Sequence, residues 1–217
     1  MSIIKNAEVL TKILSDAAAG RFPAPDGSVD VIGSPAGPVD AVLGFTAHHV
    51  VAADVDPDEI CDHLRDDDVG AAMDPSFLAW LGERIGAYPG MIDLVMAAYG
   101  TADTTTDLIP ADDLAGHPRV QRSQQYRVEV EVYRDASGAG TLTIGRGLSG
   151  RYEVSVEVDS AARSRGLGRR LAVAATHLIP EGVPLFAQVT PGNIASIRTF
   201  LAAGFDPIGS EVLFLRI

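Results

Sequence analysis

The residues best suited to chemistry gather in VEVDSAARSRGLGRRLAVAATHL, residues 156–178. Gly166 and Gly168 stand among Arg163, Arg165, Arg169 and Arg170, ahead of an Ala/Leu-rich run of helical character. A helix N-terminus exposes unpaired N–H groups and the positive end of its dipole, so it attracts phosphate. Glycine lets a backbone approach a bulky anion with no Cβ in the way, and arginines add charge-assisted hydrogen bonds. The alternative left open by these residues is a solvent-facing helix start whose arginines serve solubility.

Two nucleotide-binding readings fail on spacing. A dinucleotide fingerprint needs its first glycine at the strand-to-helix turn and a third glycine at fixed distance. Here seven residues separate Val158 from Gly166, and the third glycine position is Leu171. No Gly-Lys-Ser/Thr follows, which removes the Walker loop. The other glycine pair, in GAG at 138–140, reads as a hairpin turn with no helix behind it.

The elements around this stretch are legible from periodicity. MSIIKNAEVLTKILSDAAAG reads as an amphipathic helix rather than a secretory signal, and a short strand is predicted near Val29–Ile32. AVLGFTAHHVVAADVD is a buried strand or a pair of strands. Asp56-Pro57 opens a helix through Glu59–Arg65, and 66–68 is a solvated acidic loop. DPSFLAWLGERIG places Phe77, Leu78, Leu81 and Ile85 on one helical stripe; MIDLVMAAYG is a strand candidate with a helix as the alternative, and residues 100–118 are a polar connector. In the second half, residues 126–134, TLTIGRG and 151–158 form three antiparallel strands joined by glycine turns. A helix follows from about 166 to 178, with Leu167, Leu171, Ala174 and Leu178 on one face. The strand PLFAQV, the helix NIASIRTFLAA with Gly204 as its C-terminal cap, and the strand EVLFLRI complete the chain.

Composition limits the function classes. The 217 residues are 47% hydrophobic and 21% charged, as in a soluble globular protein with a substantial core. A single cysteine, Cys61, excludes an internal disulfide and a cysteine-based metal site, and fits a cytoplasmic setting. No metal is expected. Residues 1–118 carry 5 basic and 20 acidic side chains, whereas residues 119–217 carry 12 and 9. The acidic half argues against nucleic-acid binding, and no apolar run is long enough for a membrane span. The arginine-rich second half suits a small polyanion.

Val158 to Gly168 resembles the acyl-CoA signature of the GNAT superfamily of N-acyltransferases, R/Q-x-x-G-x-G/A, met by Arg163, Gly166 and Gly168. The second block of that superfamily is matched by the strand Leu185–Val189, Asn193 opening a helix, then Gly204-Phe205 and a final strand. The resemblance covers the last ~95 residues well and the first half poorly. It implies a mixed, largely antiparallel α/β (α+β) fold flanked by helices, with an elaborated acidic N-terminal lobe at 1–118 and an acyl-CoA core at 119–217. It implies that backbone groups around Val156 and Val158 pair with the pantetheine arm of acetyl-CoA, that strands 151–158 and 184–189 splay to admit it, and that Asn193 contacts it. The N–H groups of Ser164, Arg165, Gly166, Leu167, Gly168 and Arg169, with Arg163, would hold the pyrophosphate.

The catalytic positions carry less. The family's acid is a tyrosine in the last helix, where this chain has Phe200; the strand position used for a base falls at Tyr152, with Glu153 the nearest carboxylate. Alternation puts Tyr152, Val154, Val156 and Val158 on one face and Glu153, Ser155 and Glu157 on the other. Glu153 and Glu157 also fit a structural role, paired with Arg146 or Arg151. His48-His49 offers a base or ligand, or two structural histidines, and Gln188 offers a polar group in the cleft. The expected activity is acetyl transfer from acetyl-CoA to the primary amine of a small molecule or peptide, with the oligomeric state open between monomer and homodimer. A non-catalytic acyl-CoA-binding protein is the alternative, and an interaction lobe in the first half a third.

Overall fold

Proline after aspartate starts two helices in the first half, because proline needs no N–H partner in the first turn and the aspartate side chain caps the next free amide. Asp56 Oδ1 accepts from the Asp58 N–H at 2.9 Å, and Asp74 Oδ1 from the Ser76 N–H at 2.8 Å. The computed structural model describes residues 3–65, 68–103 and 105–216; Asp66 and Asp67 of the expected acidic loop lie outside them. Two units divide the chain, one taking Met1–Leu94, Leu148–Gly150 and Ile208–Ile217, the other Val95–Gly147 and Arg151–Pro207.

The first unit contains α1 (Ile3–Ala18), β1 (Val29–Ile32), β2 (Val39–Phe45), β3 (His48–Ala52), α2 (Pro57–His63), α3 (Pro75–Ile85) and β4 (Tyr88–Pro89), with most of β11 (Asp206–Leu215). Its strands run in the order β1-β3-β2-β11, and β4 pairs with β11. β2 and β3 form the hairpin expected from the long apolar run, turning at Ala47 with φ +48°. Both strands are buried almost throughout, which is why their sequence lacks alternation. Val42, Val51, Ile60, Phe77, Leu81 and Phe214 pack together as one core cluster.

The second unit holds most of β5 (Asp93–Tyr99), with β6 (Ile109–Pro110), α4 (Pro118–Tyr126), β7 (Val128–Arg134), β8 (Gly140–Arg146), β9 (Tyr152–Val158), α5 (Leu167–Thr176), β10 (Pro184–Val189) and α6 (Ile194–Ala202). The strand order is β5-β10-β9-β8-β7-β6. β7, β8 and β9 are the antiparallel meander read from the sequence, whereas β9 and β10 run parallel. The fold is mixed α/β, with largely antiparallel strand pairing and six α-helices among the described residues.

Three local features differ from the sequence expectation. No element is expected between the connector at 100–118 and the strand from 126, where α4 forms; its sequence PRVQRSQQY buries only Val120 and Ser123, one apolar side chain and one polar. A bulge interrupts β7 between Val128 and Glu131, with Glu129 at φ +53°. α5 ends at Thr176, and its buried face is Leu167, Leu171, Ala172, Ala175 and Thr176; Ala174 and Leu178 are only partly covered.

Candidate active site

The site is built where two neighbouring strands part. β9 keeps its antiparallel partner along its whole length, from Gly140↔Val158 to Arg146↔Tyr152. Its pairing with β10 covers only Leu185↔Tyr152 and Phe186↔Glu153, so beyond Glu153 the β10-facing edge of β9 has no ladder. The direction of the free edge follows from one bond: the Asp159 N–H donates to Ala139 O at 2.9 Å, on the β8 side. Backbone groups alternate along a strand, so those of Val158, Val156 and Val154 point the other way. Consistently, Val158 O accepts from Arg163 Nε at 3.0 Å rather than from β8.

The arginine–glycine loop lies at the end of that edge. Ser164 and Gly166 both sit in the left-handed region, at φ +60° and +77°, and Gly166 is the N-cap of α5 with no side-chain cap. Glycine is the residue that holds that conformation without a Cβ penalty. The turn leaves the N–H groups of residues 164–169 with no acceptor among the described residues, and the first loop-to-helix bond runs from the Arg170 N–H to Gly166 O at 3.1 Å. Buried Leu167 anchors the loop while Arg163, Arg165, Arg169 and Arg170 remain exposed. A Cβ on Gly168 would stand 3.2 Å from Thr199 Cγ2 and 3.7 Å from Val158 Cγ2, so α6 and β9 both close on this point. Beside the loop opens a cavity of about 600 Å³, lined in part by Gly166, Arg169, Arg170 and His177. Successive amides without acceptors, with arginines around them, have the chemistry to receive an anion.

Asn193 caps α6, its Oδ1 accepting from the Ser196 N–H at 3.1 Å; with the oxygen committed to the helix, Nδ2 is the group left for a ligand. Phe200 is buried and meets Phe205 edge-on, centroids 4.9 Å apart. No proton donor stands at that position.

On the α4-facing side of β9, polar groups make a dense network. Ser123 of α4 is hydrogen-bonded to Thr143 of β8 at 2.7 Å and Ser155 of β9 at 3.2 Å. Arg127, at the junction of α4 and β7, donates from Nε to Glu153 at 2.8 Å, from Nη1 to Ser155 Oγ at 2.9 Å and from Nη2 to Gln188 Oε1 at 3.2 Å. Arg151 Nε donates to the other Glu153 oxygen at 2.8 Å. Glu153 is 1% exposed. Burial pushes its carboxyl up, but Arg151 and then Arg127 outweigh that and hold it below the ordinary value. Gly147 gives the carboxylate its room, since a Cβ there would fall 2.1 Å from Glu153 Cδ. Burial also draws the Arg127 guanidinium down, opposed by Glu153. A carboxylate held between two guanidinium groups is a poor proton acceptor. The expected alternation of β9 is present: Glu153 and Ser155 share this network, and Glu157 meets Arg119 at 3.1 Å. Tyr152 is on the opposite face, its ring 3.4 Å beneath the Arg146 guanidinium.

The histidine pair stays within the first unit. His48 is buried against Asp26 and Ser28, each 3.1 Å from Nδ1, the arrangement of a structural histidine. Burial, then the neighbouring His48, lowers the pKa of His49, with Asp68 opposing. Among the described residues no group of three or more His, Cys, Asp or Glu is placed to hold a metal, and no helix is long and apolar enough to cross a membrane.

No protein-family profile and no curated protein matches the chain. Solved structures do. They include a GCN5-related N-acetyltransferase from Kribbella flavida, at 15% identity and TM-score 0.41 over 64% of this chain. Another is an acetyltransferase from the GNAT family from Colwellia psychrerythraea, at 14% identity and TM-score 0.39 over 66% of this chain. In each case the match spans 63% of the length of the solved chain.

Sequence reasoning missed Arg127, the hub of the polar network, and Gly147 beneath it. Arg127 falls within the expected strand 126–134 as one of its alternating polar positions, with nothing in that pattern to mark it as buried. Its burial follows from α4, a helix that buries only Val120 and Ser123 and so carries no apolar stripe to mark it. The usable signals were His117-Pro118 as a helix start and the even spacing of Glu153 and Ser155.

Proposed function

We propose that the protein is an N-acyltransferase that carries an acetyl group from acetyl-CoA to a primary amine. The observation that carries this reading is the juxtaposition of an unpaired β9 edge with a loop of acceptor-free amides. The loop fits the pyrophosphate: the N–H groups of residues 164–169 supply donors, and Arg163, Arg165 and Arg169 supply charge. The exposed edge at Val156 and Val158 fits a pantetheine arm laid alongside it as an added strand, with Asn193 Nδ2 facing the same arm. Bound acetyl-CoA supplies an activated thioester, whose carbonyl carbon the amine attacks as thiolate leaves.

The chain's own groups prepare that step by binding and orientation. The β9 backbone beyond Glu153 aligns the arm, and the N–H groups of Val156 and Val158 are the available donors to a carbonyl oxygen in the opening. Glu153 positions Arg127 and Arg151 rather than taking a proton. Tyr152 stands at the strand position expected for a base, but its ring lies beneath the Arg146 guanidinium and it takes no proton in this scheme. With Phe200 at the acid position, the proton of the incoming ammonium passes to solvent and the thiolate is protonated by water. The acidic balance of residues 1–118 favours a cationic acceptor.

A specific observation favours a second reading, a non-catalytic acyl-CoA-binding protein: Phe200 and Tyr152 occupy the two proton-handling positions, and Glu153, the nearest carboxylate, is clamped between Arg127 and Arg151. Thiol release measured with acetyl-CoA across polyamines, aminoglycosides, amino acids and peptide N-termini separates the two. Release that depends on one amine class supports the transferase. Tight acetyl-CoA binding with no release for any acceptor supports the binding protein.

A further inference from the structure

Gln188 is the only hydrogen-bonding side chain on β10, PLFAQV. It lies two residues beyond Phe186, the last residue paired with β9, and therefore at the level of Ser155 where the strands have parted. Arg127 fixes which way round its amide sits. Arginine carries donors only, so the atom meeting Nη2 at 3.2 Å is Oε1, and Nε2 is turned away from the guanidinium. That nitrogen is buried and has no acceptor among the described residues. Buried amide donors are nearly always satisfied in native proteins. The arrangement is rigid as well: Arg127 is itself held by Glu153 and Ser155, so the amide has one orientation and its donor one direction.

We infer that Gln188 Nε2 donates a hydrogen bond to a carbonyl oxygen of the acyl-pantetheine arm in the β9–β10 opening, with Arg127 as the positioning residue that sets the amide. This rests on the acyl-CoA reading above. Gln188 is then a specificity-determining residue that the loop motif does not contain. Two carbonyls could fill the role, that of the acyl group and that of a pantetheine amide, and they separate by comparing acetyl-CoA with CoA.

The test is isothermal titration of the full chain with each ligand at about pH 8, where a carboxylate beside Arg127 is ionised. Q188E keeps an oxygen for Arg127 Nη2 but replaces the donor by an acceptor. Q188M removes the polar group with similar length and serves if Q188E does not fold, folding being checked by thermal melt. A loss of about tenfold in acetyl-CoA affinity with CoA affinity unchanged assigns the bond to the acyl carbonyl. An equal loss for both ligands assigns it to the pantetheine arm. Unchanged affinities in folded variants, or Gln188 side-chain amide resonances that do not move when acetyl-CoA binds the wild type, overturn the inference and leave the cofactor reading standing. A folded wild type that binds neither ligand overturns both.

Discussion

Replacing Glu153 by glutamine tests whether this carboxylate is a structural anion or a base. Glu153 is 1% exposed and its partner Arg127 side chain 8%, with Nε 2.8 Å from the carboxylate. Arg151, 4% exposed, meets the second oxygen at the same distance. Glutamine keeps one oxygen but turns an NH2 group against the other guanidinium, leaving excess positive charge out of water. Breaking a buried ion pair from one side costs about 3–5 kcal/mol, which for a chain of this size lowers Tm by roughly 6–20 °C. The pH dependence has a definite sign. The folded pKa of Glu153 lies below its ordinary 4.5, so its contribution is fully present above that value and fades as pH falls through the lower folded one. Urea melts followed by circular dichroism at neutral pH and near pH 4 read both effects: E153Q is strongly destabilised at neutral pH, and its gap to wild type narrows in acid. A change within about 0.5 kcal/mol at neutral pH with a large fall in kcat would refute this reasoning and restore Glu153 as the base.

Two further outcomes follow from the same geometry. Gly168→Val sets branched carbons against Thr199 and Val158, 3.2 and 3.7 Å from where its Cβ falls; CoA affinity measured by titration drops at least about tenfold, and retained affinity refutes the cradle. With no side chain free to take the ammonium proton, kcat/KM rises with pH until the acceptor amine itself is neutral, with no carboxylate limb between about pH 4 and 6; a limb in that range that disappears in E153Q contradicts the assignment.

Much of the second unit was legible because its signals are local. The meander announces itself by period-two alternation and glycine turns, and Arg163, Gly166 and Gly168 carry their own spacing; the left-handed φ of Gly166 is what that glycine is for. The β2–β3 hairpin was readable only as a strand or two, since burial on both faces erases the alternation that would mark the turn at Ala47. α4 was not legible, because it buries one apolar side chain, Val120 against Val132, and one polar one, Ser123 on Thr143 and Ser155, and so shows no apolar stripe. Its loss hid Arg127, and with Arg127 the reason Glu153 is buried: one partner of Glu153, Arg127, comes from 26 positions away, and the other, Arg151, from two. Side-chain identity marked Gln188 as polar in an apolar strand, but only the guanidinium beside it fixes where its donor points.

The central claim is that the β9 edge and the residue 164–169 amides bind acetyl-CoA. Isothermal titration of the full chain with acetyl-CoA, paired with a thermal melt in its presence, tests it most directly. The account predicts saturable one-site binding, a stabilisation of about 2.7 kcal/mol at a hundredfold excess over Kd, and weakened binding in Gly168→Val. No heat of binding and an unchanged Tm at millimolar acetyl-CoA would contradict it.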